Sequence, residues 1–153
     1  MITEDLIHEA QKKWGNGIVK IGSLMDNKSE CTKYTTSFLN EMYDFKNNDV
    51  LFKPTKASVE QFRPTFNMAL SYFLGGDDSF CSEDDGFAMK PWVEVKFENT
   101  GYIIENDRAI AMGNYFFKDL LHNIVKVEYS FSYKLRKGNL VIDLHHSSLP
   151  FSS

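Results

Sequence analysis

The chain has 153 residues and a formal net charge of −4, with an isoelectric point near 5.5. This length is typical of one compact domain, and the mild acidity disfavours a dedicated nucleic-acid-binding protein, which usually concentrates Lys and Arg on one face. Aromatic residues make up 14% of the chain, which excludes a disordered protein and favours a core or pocket lined with rings.

The sequence predicts neither a secretory signal nor a membrane span. No apolar run approaches the roughly 20 residues that span a bilayer, and the first residues carry Glu4, Asp5 and Glu9 where a secretory signal would be apolar. Cys31 and Cys81 are expected as free thiols in a reducing compartment. The sequence therefore predicts a soluble cytoplasmic protein without membrane or nucleic-acid partners.

The N-terminal segment predicts a long helix. Thr3 precedes an acidic first turn, as helix N-caps do, and apolar residues recur at helical spacing over 6–25. Gly15, Gly17 and Gly22 each weaken such a helix by about 1 kcal/mol relative to alanine. Their presence indicates that a bulky group approaches closely here or that the helix bends.

Shorter elements follow in the middle of the chain. A second helix is expected over about 29–43, and the residues 50–54 predict a short strand that ends at a proline. Ser58 and Gln61 have the spacing of a capping box and predict a helix start, which Pro64 interrupts.

A third helix is expected from Thr65 to Leu74, because two glycines follow it. The acidic, turn-rich stretch from Gly75 to Gly86 predicts a surface loop.

From Pro91 onward, apolar and polar residues alternate with a period of two, which predicts antiparallel strands joined by tight turns. The strand segments fall at about 93–105, 108–117, 125–133 and 140–148. Helices grouped before an antiparallel meander predict an α+β fold of one domain over 1–153. About three N-terminal helices packed on a curved antiparallel sheet would give the cone shape of the nuclear transport factor 2-like (cystatin-like) fold.

The last predicted strand carries the most unusual polar cluster. Because strand side chains alternate, Asp143, His145 and Ser147 are expected on one face, and His146 and Ser148 on the other. The cluster fits a polar patch at the mouth of a cavity, where imidazole and hydroxyl groups orient water or an anion. The spacing alone also fits, and slightly favours, a strand end that meets solvent or a partner subunit.

The histidines do not predict a metal site. Adjacent histidines on a strand point apart, and His8 and His122 fall in a helix and a turn. The sequence lacks the convergent ligand motifs of a zinc site. It also lacks a phosphate-binding loop and a nucleophile elbow.

Several motifs resemble the iota-class carbonic anhydrases over about residues 10–151. They are WGNGIVKIG at 14–22, VLFKPT at 50–55, QFRPTF at 61–66, ALSYF at 69–73, AIAMGNYF at 109–116 and HHSSLP at 145–150. This family is related to the association domain of calcium/calmodulin-dependent protein kinase II.

The resemblance implies reversible hydration of CO₂ to bicarbonate, that is, a lyase. Matched motif by motif, it assigns the catalytic hydroxyls to Thr55, Tyr72 and Ser147, with His145 beside them. In such a site we expect Tyr72 and Thr55 to act as donors, and Ser147 and His145 to relay the proton. Members are described as metal-free, although zinc or manganese dependence is also described. Many members carry a histidine where this chain has Leu144, which weakens a metal-dependent version further.

Five further residues are candidates for contact with the substrate: Trp14, Arg63, Phe66, His146 and Ser148. Arg63 could bind a carboxylate or form an ion pair, and Trp14 could stack on a ligand or belong to the core.

Two other functions remain open from the sequence. A non-catalytic oligomerisation module would place apolar sheet residues such as Tyr129 and Phe131 in a subunit interface. A cavity protein of the cyclase or isomerase type would need a buried acid–base pair, for which Asp143 and His145 are the candidates. In each case we expect a homodimer, with higher oligomers open, because a second copy usually covers the outer face of such a sheet.

Overall fold

The computed structural model describes residues 1–153 as three α-helices packed on one five-stranded sheet. The helices are α1 (Glu4–Ser23), α2 (Lys28–Met42) and α3 (Phe66–Leu74), and the strands are β1 (Leu51–Lys53), β2 (Trp92–Ile104), β3 (Arg108–Asp119), β4 (Ile124–Arg136) and β5 (Asn139–Ser148). Two short 3₁₀ helices lie at Asp44–Lys46 and Phe87–Met89. The α+β prediction, with a short strand before four long ones, is confirmed.

The sheet has the order β1-β5-β4-β3-β2. The four long strands pair antiparallel, whereas β1 pairs parallel to β5, with Phe52 opposite His145. The helices pack on the inner face, and the core between helices and sheet is rich in aromatic rings. None of the helices combines the length and apolarity that crossing a membrane requires.

The glycines of α1 mark close contacts with other elements. A Cβ atom on Gly17 would lie 2.1 Å from the Phe38 ring of α2, and one on Gly22 would lie 2.8 Å from both the Ala88 carbonyl oxygen and Pro91. Helix α1 begins at Glu4, with the Thr3 side chain accepting a hydrogen bond from a backbone N–H of the first turn. The predicted cap and the predicted close approach are both confirmed.

The helix predicted to start at Ser58 does not form, and the segment between β1 and α3 is irregular. The backbone N–H groups of Ser58, Val59 and Glu60 donate instead to the carboxylate of Glu83, at 2.7–3.2 Å. A distant carboxylate therefore satisfies the donors that a capping box would have served, and the segment adopts a turn around it.

The acidic loop after α3 is only partly a surface loop. Gly75 ends the helix with a φ of 58°, as predicted, but Cys81 and Asp84 farther along are buried. Asp84 accepts two hydrogen bonds of 2.8 Å from the buried guanidinium of Arg63. This ion pair draws the loop into the core, because a buried charge requires a partner.

A bulge in β5 changes which side chains face the core. Ile142 pairs with Tyr133 and Leu144 with Ser132, so Asp143 is an extra residue in the ladder. Leu140 and Ile142 are buried before the bulge, and His145 and Ser147 are buried after it. The prediction that Asp143 shares a face with His145 is therefore wrong, because the inserted residue reverses the alternation.

Candidate active site

The inner face of the sheet holds a small cavity near the end of β5. Its lining is half hydroxyl or imidazole and half apolar ring, formed by Trp14, Phe52, Pro54, Thr55, Tyr72, Phe73, Phe87, Tyr115, His145 and Ser147. The free volume is about 10 Å³, roughly the space of one water molecule. The cavity thus combines room for about one water molecule with a lining that suits a very small polar ligand.

The pairing of β1 with β5 assembles the polar side of this cavity. The parallel register places Phe52 opposite His145, and Thr55 follows two residues after β1 ends. Helix α3 brings Tyr72 from the other side, where the Tyr72 hydroxyl accepts a 3.2 Å hydrogen bond from the backbone N–H of Lys56. The irregular segment after β1 is thereby fixed against α3.

His145 is fully enclosed and bonded at both nitrogens. Its Nδ1 lies 2.9 Å from the Tyr43 hydroxyl and its Nε2 lies 3.0 Å from the Tyr115 hydroxyl. The ring packs between Phe52 and Phe131, with centroids 4.9 and 4.2 Å away. Burial, with a smaller effect from His146, lowers the pKa of His145 well below its ordinary value, so the ring is neutral at physiological pH.

Two short hydrogen bonds connect His145 to the cavity hydroxyls. The Tyr115 hydroxyl lies 2.5 Å from Ser147 Oγ, and Ser147 Oγ lies 2.6 Å from Thr55 Oγ1. On the other side of the imidazole, the indole N–H of Trp14 donates to the Tyr43 hydroxyl over 3.0 Å. One continuous row of buried polar groups therefore runs from α1 to the cavity.

The tyrosine hydroxyls of the site remain protonated. Burial raises the pKa of Tyr72 far above its ordinary value, although hydrogen bonds from Lys56 N–H and Thr55 counteract part of the rise. Burial likewise raises the pKa of Tyr115 well above its usual range. The cavity therefore offers neutral hydrogen-bond donors.

The structure brings together all four residues assigned as catalytic, Thr55, Tyr72, Ser147 and His145, and adds Trp14 to the lining. Sequence reasoning missed the roles of Tyr43 and Tyr115. Tyr115 belongs to the buried alternation of β3, which gives a signal for burial but none for a polar role. Tyr43 follows the end of α2, where no periodicity extends.

Four residues assigned to substrate contact lie outside the cavity lining. Arg63 is buried in its ion pair with Asp84, and Phe66 packs edge-on against Phe45. His146 is exposed on the outer face of the sheet, and Ser148 on that face donates to a glutamate carboxylate. The β-strand alternation that places His145 and Ser147 inside directs these two neighbours outward.

The acid–base pair required by an isomerase of the cyclase type does not form. Asp143 Oδ2 accepts a 2.7 Å hydrogen bond from Arg108, on the outer face of the sheet. Both nitrogens of His145 are bonded to tyrosines instead.

No three or more His, Cys, Asp or Glu side chains converge in a way that could hold a metal ion. The histidine at the cavity already uses both ring nitrogens, so it has no lone pair free for a metal. The polar groups around it are hydroxyls, which are poor ligands for zinc when protonated.

Comparison with known proteins agrees with this arrangement. The family model of the metal-independent carbonic anhydrases matches residues 5–149. A metal-independent carbonic anhydrase of Nostoc sp. (strain PCC 7120 / SAG 25.82 / UTEX 2576) is 36% identical over 154 residues, covering 98% of this chain and 75% of that protein.

Solved structures show the same fold. The iota-carbonic anhydrase from a cyanobacterium, complexed with bicarbonate, superposes with a TM-score of 0.94 at 35% identity, covering 99% of this chain and 94% of the other. A putative calcium/calmodulin-dependent protein kinase II association domain from Xanthomonas campestris gives a TM-score of 0.66 at 18% identity, covering 96% and 87%. An NTF-2-like protein of unknown function from Shewanella oneidensis gives 0.58 at 15%, covering 96% and 99%.

The two distant matches show the fold alone, which is the predicted nuclear transport factor 2-like cone. The family match covers nearly the whole chain, and the cyanobacterial relatives exceed 30% identity over almost all of it. On these grounds the chain belongs to the metal-independent carbonic anhydrase family.

Proposed function

We propose that this protein catalyses the reversible hydration of CO₂ to bicarbonate in the cavity beside His145, without a metal ion. One observation carries the proposal: Thr55, Tyr72 and Ser147 present neutral hydroxyls to one small, ring-lined cavity. The bicarbonate complex of the cyanobacterial iota-carbonic anhydrase, which has the same fold at 35% identity, supports the same substrate here.

The chemistry required of the site is modest but specific. The oxygen of water bonds to the carbon of CO₂, one C=O electron pair moves onto oxygen, and the water gives up a proton. Zinc enzymes favour this step by lowering the pKa of bound water to about 7. In this cavity, hydroxyl donors stabilise the negative charge that develops on the CO₂ oxygens instead.

Thr55 and Tyr72 are placed to act as those donors. Both side chains line the cavity. The fold already holds them in place, because the Tyr72 hydroxyl is bonded to Lys56 N–H and the Thr55 hydroxyl to Ser147. Donors fixed in advance in a space of low polarity stabilise a developing oxyanion more strongly than water does. The surrounding rings exclude other water molecules from the reacting pair.

A homodimer is part of this proposal. The outer face of the sheet exposes Ile103, Ile110 and Met112, with 63%, 38% and 58% of their surface accessible. A second copy of the chain would cover these apolar side chains and leave the cavity, on the inner face, unobstructed. A non-catalytic oligomerisation module would form the same dimer, but that function gives no role to the buried hydroxyls.

The substitution Tyr72→Phe tests the proposed site. It removes one donor and keeps the ring, so we expect kcat for CO₂ hydration to fall by roughly 100-fold, the usual effect of losing one oxyanion donor. Stopped-flow pH-indicator assays measure the rate, and circular dichroism checks the fold. The control is Tyr34→Phe, a half-buried tyrosine of α2 away from the cavity, which should retain full activity. Full activity in folded Tyr72→Phe would contradict the role given to this hydroxyl.

A further inference from the structure

The buried row of hydrogen bonds along the cavity wall has a defined direction. In spatial order it passes through Trp14, Tyr43, His145, Tyr115, Ser147 and Thr55. Hydroxyl and neutral imidazole groups can both donate and accept hydrogen bonds. The direction of the hydrogen bonds is therefore set by a member of the row that can only donate or only accept. That member is the indole of Trp14, which has an N–H and no acceptor.

The indole fixes the hydroxyl proton of Tyr43. Because Trp14 donates to the Tyr43 oxygen, the single proton of that hydroxyl is directed to its other partner, Nδ1 of His145. The opposite arrangement, with Nδ1–H donating to Tyr43, would leave the Tyr43 hydroxyl proton unpaired. Tyr43 is completely buried, and an unpaired buried donor is costly.

The state of His145 follows from this bond. A neutral imidazole that accepts at Nδ1 carries its proton on Nε2, and Nε2–H then donates to the Tyr115 hydroxyl. The Tyr115 hydroxyl, which accepts from His145, donates its own proton to Ser147 Oγ.

At the end of the row, Ser147 donates to Thr55, so the Thr55 proton points toward the Tyr72 oxygen at the cavity. The Tyr72 oxygen also accepts from Lys56 N–H, so its own proton is free to point into the cavity.

We infer that Trp14 is a positioning residue that, through Tyr43, holds His145 in the Nε2–H tautomer and turns the hydroxyl protons of the row toward the cavity. This inference rests on the proposed function for its kinetic consequence, since the row ends at hydroxyls that we propose bind the substrate. The state of the imidazole is a property of the fold and is measurable without any assay of activity.

The same geometry excludes the row as a path for the proton. At its far end the indole N–H cannot take up a proton, and releasing one from Tyr43 would create a phenolate in the core, where burial raises its pKa far above the ordinary value. We therefore infer a positioning role for His145 in place of the proton relay through Ser147 and His145 that we expect from the sequence. In this direction the row supplies donors for the bicarbonate oxygens and does not take up the proton that water releases.

Burial keeps His145 neutral, with a smaller effect on its pKa from His146 on its own strand. The titratable groups that face its ring are the hydroxyls of Tyr43 and Tyr115. The carboxylate of Asp143, two residues away, is paired with Arg108 on the outer face.

Nitrogen-15 NMR on the full chain with labelled histidine tests the tautomer directly. We expect a His145 signal with unprotonated Nδ1 and protonated Nε2, unchanged across the neutral pH range. A protonated Nδ1, in the other tautomer or in an imidazolium ion, would overturn the inference.

The variant Tyr43→Phe tests the cause. It removes the hydroxyl and keeps the ring, so we expect both tautomers of His145 to be populated and kcat/KM to fall about tenfold, the effect of one lost buried hydrogen bond. Trp14→Phe removes the indole donor and should shift the tautomer in the same sense. The matched control is Tyr133→Phe, a fully buried tyrosine of β4 outside the row, which should keep the wild-type tautomer and rate.

The readouts separate the two claims. Equal spectra for Tyr43→Phe and Tyr133→Phe would overturn the positioning role even if the enzyme is active. The expected spectra in a folded protein without CO₂ hydration would support the hydrogen-bond direction and contradict the proposed function.

Discussion

Burial determines what the individual polar side chains of the cavity can do. The pKa values of Tyr72 and Tyr115 are raised and that of His145 is lowered, in each case chiefly because the charged form would be cut off from water. All three groups are therefore neutral near pH 7. Such a site stabilises charge that appears on the substrate, whereas it cannot ionise water by itself.

Glu83, in contrast to these neutral groups, has its charged form stabilised by hydrogen bonds. Backbone N–H groups of Ser58 and Glu60, with that of Val59, lower the pKa of its carboxyl from 4.5 to about 2. A carboxyl whose pKa is lower in the folded state contributes stability above its unfolded pKa and loses it as the pH falls through the folded value. The contribution of Glu83 is thus complete above about pH 4.5 and is lost toward pH 2.

The variant Glu83→Gln is expected to have a lower Tm than the wild type at pH 7, and the difference should shrink steadily below pH 4.5. Thermal unfolding followed by circular dichroism at several pH values gives both curves. Glu105→Gln, an exposed glutamate with no side-chain partner, serves as the control and should match the wild type. A Tm difference that stays constant down to pH 2.5 would show that the carboxylate charge has no part in holding this turn.

At the scale of elements, the sequence predicts those helices and strands whose apolar residues recur with a regular spacing. The alternation of β2 to β5 and the apolar spacing of α1 reflect burial on one face, so these elements are found where the pattern places them. The capping box at Ser58 fails because its backbone donors bind Glu83, which is distant in sequence. A local motif cannot reveal a competitor supplied by tertiary structure.

The bulge in β5 limits the prediction of the site in a similar way. One inserted residue moves all the following side chains to the opposite face of the strand. No residue type in β5 indicates that such an insertion is present. His145 and Ser147 were placed together correctly because both follow the bulge, whereas Asp143 was misplaced because it is the inserted residue.

At the scale of the whole molecule, the site joins segments that lie far apart in the chain. Trp14 comes from α1, Thr55 follows β1, Tyr115 lies on β3 and Ser147 lies near the end of β5. Composition predicts an aromatic core but cannot pair these residues, since their contacts depend on the curvature and order of the sheet. The family resemblance predicts that Thr55, Tyr72 and Ser147 share one site. It does not predict the hydrogen bonds that connect them to Tyr115 and Tyr43.

The proposed homodimer belongs to the same scale. Sedimentation velocity at micromolar concentration should show a dimer, and Met112→Glu should convert it to a monomer by placing a charge in the apolar outer face. Leu121→Glu, which changes an exposed leucine in the turn after β3, should leave the dimer intact. A monomeric wild type, or a dimer insensitive to Met112→Glu, would contradict this interface.

The central claim is that neutral hydroxyls in a ring-lined cavity hydrate CO₂ without a metal. The most direct measurement is stopped-flow CO₂ hydration by chelator-treated protein of verified metal content, before and after addition of zinc or manganese. The account predicts activity in the metal-free protein and no increase on adding either ion. Folded, monodisperse protein that is inactive without metal would contradict it, whether or not added metal restores the rate.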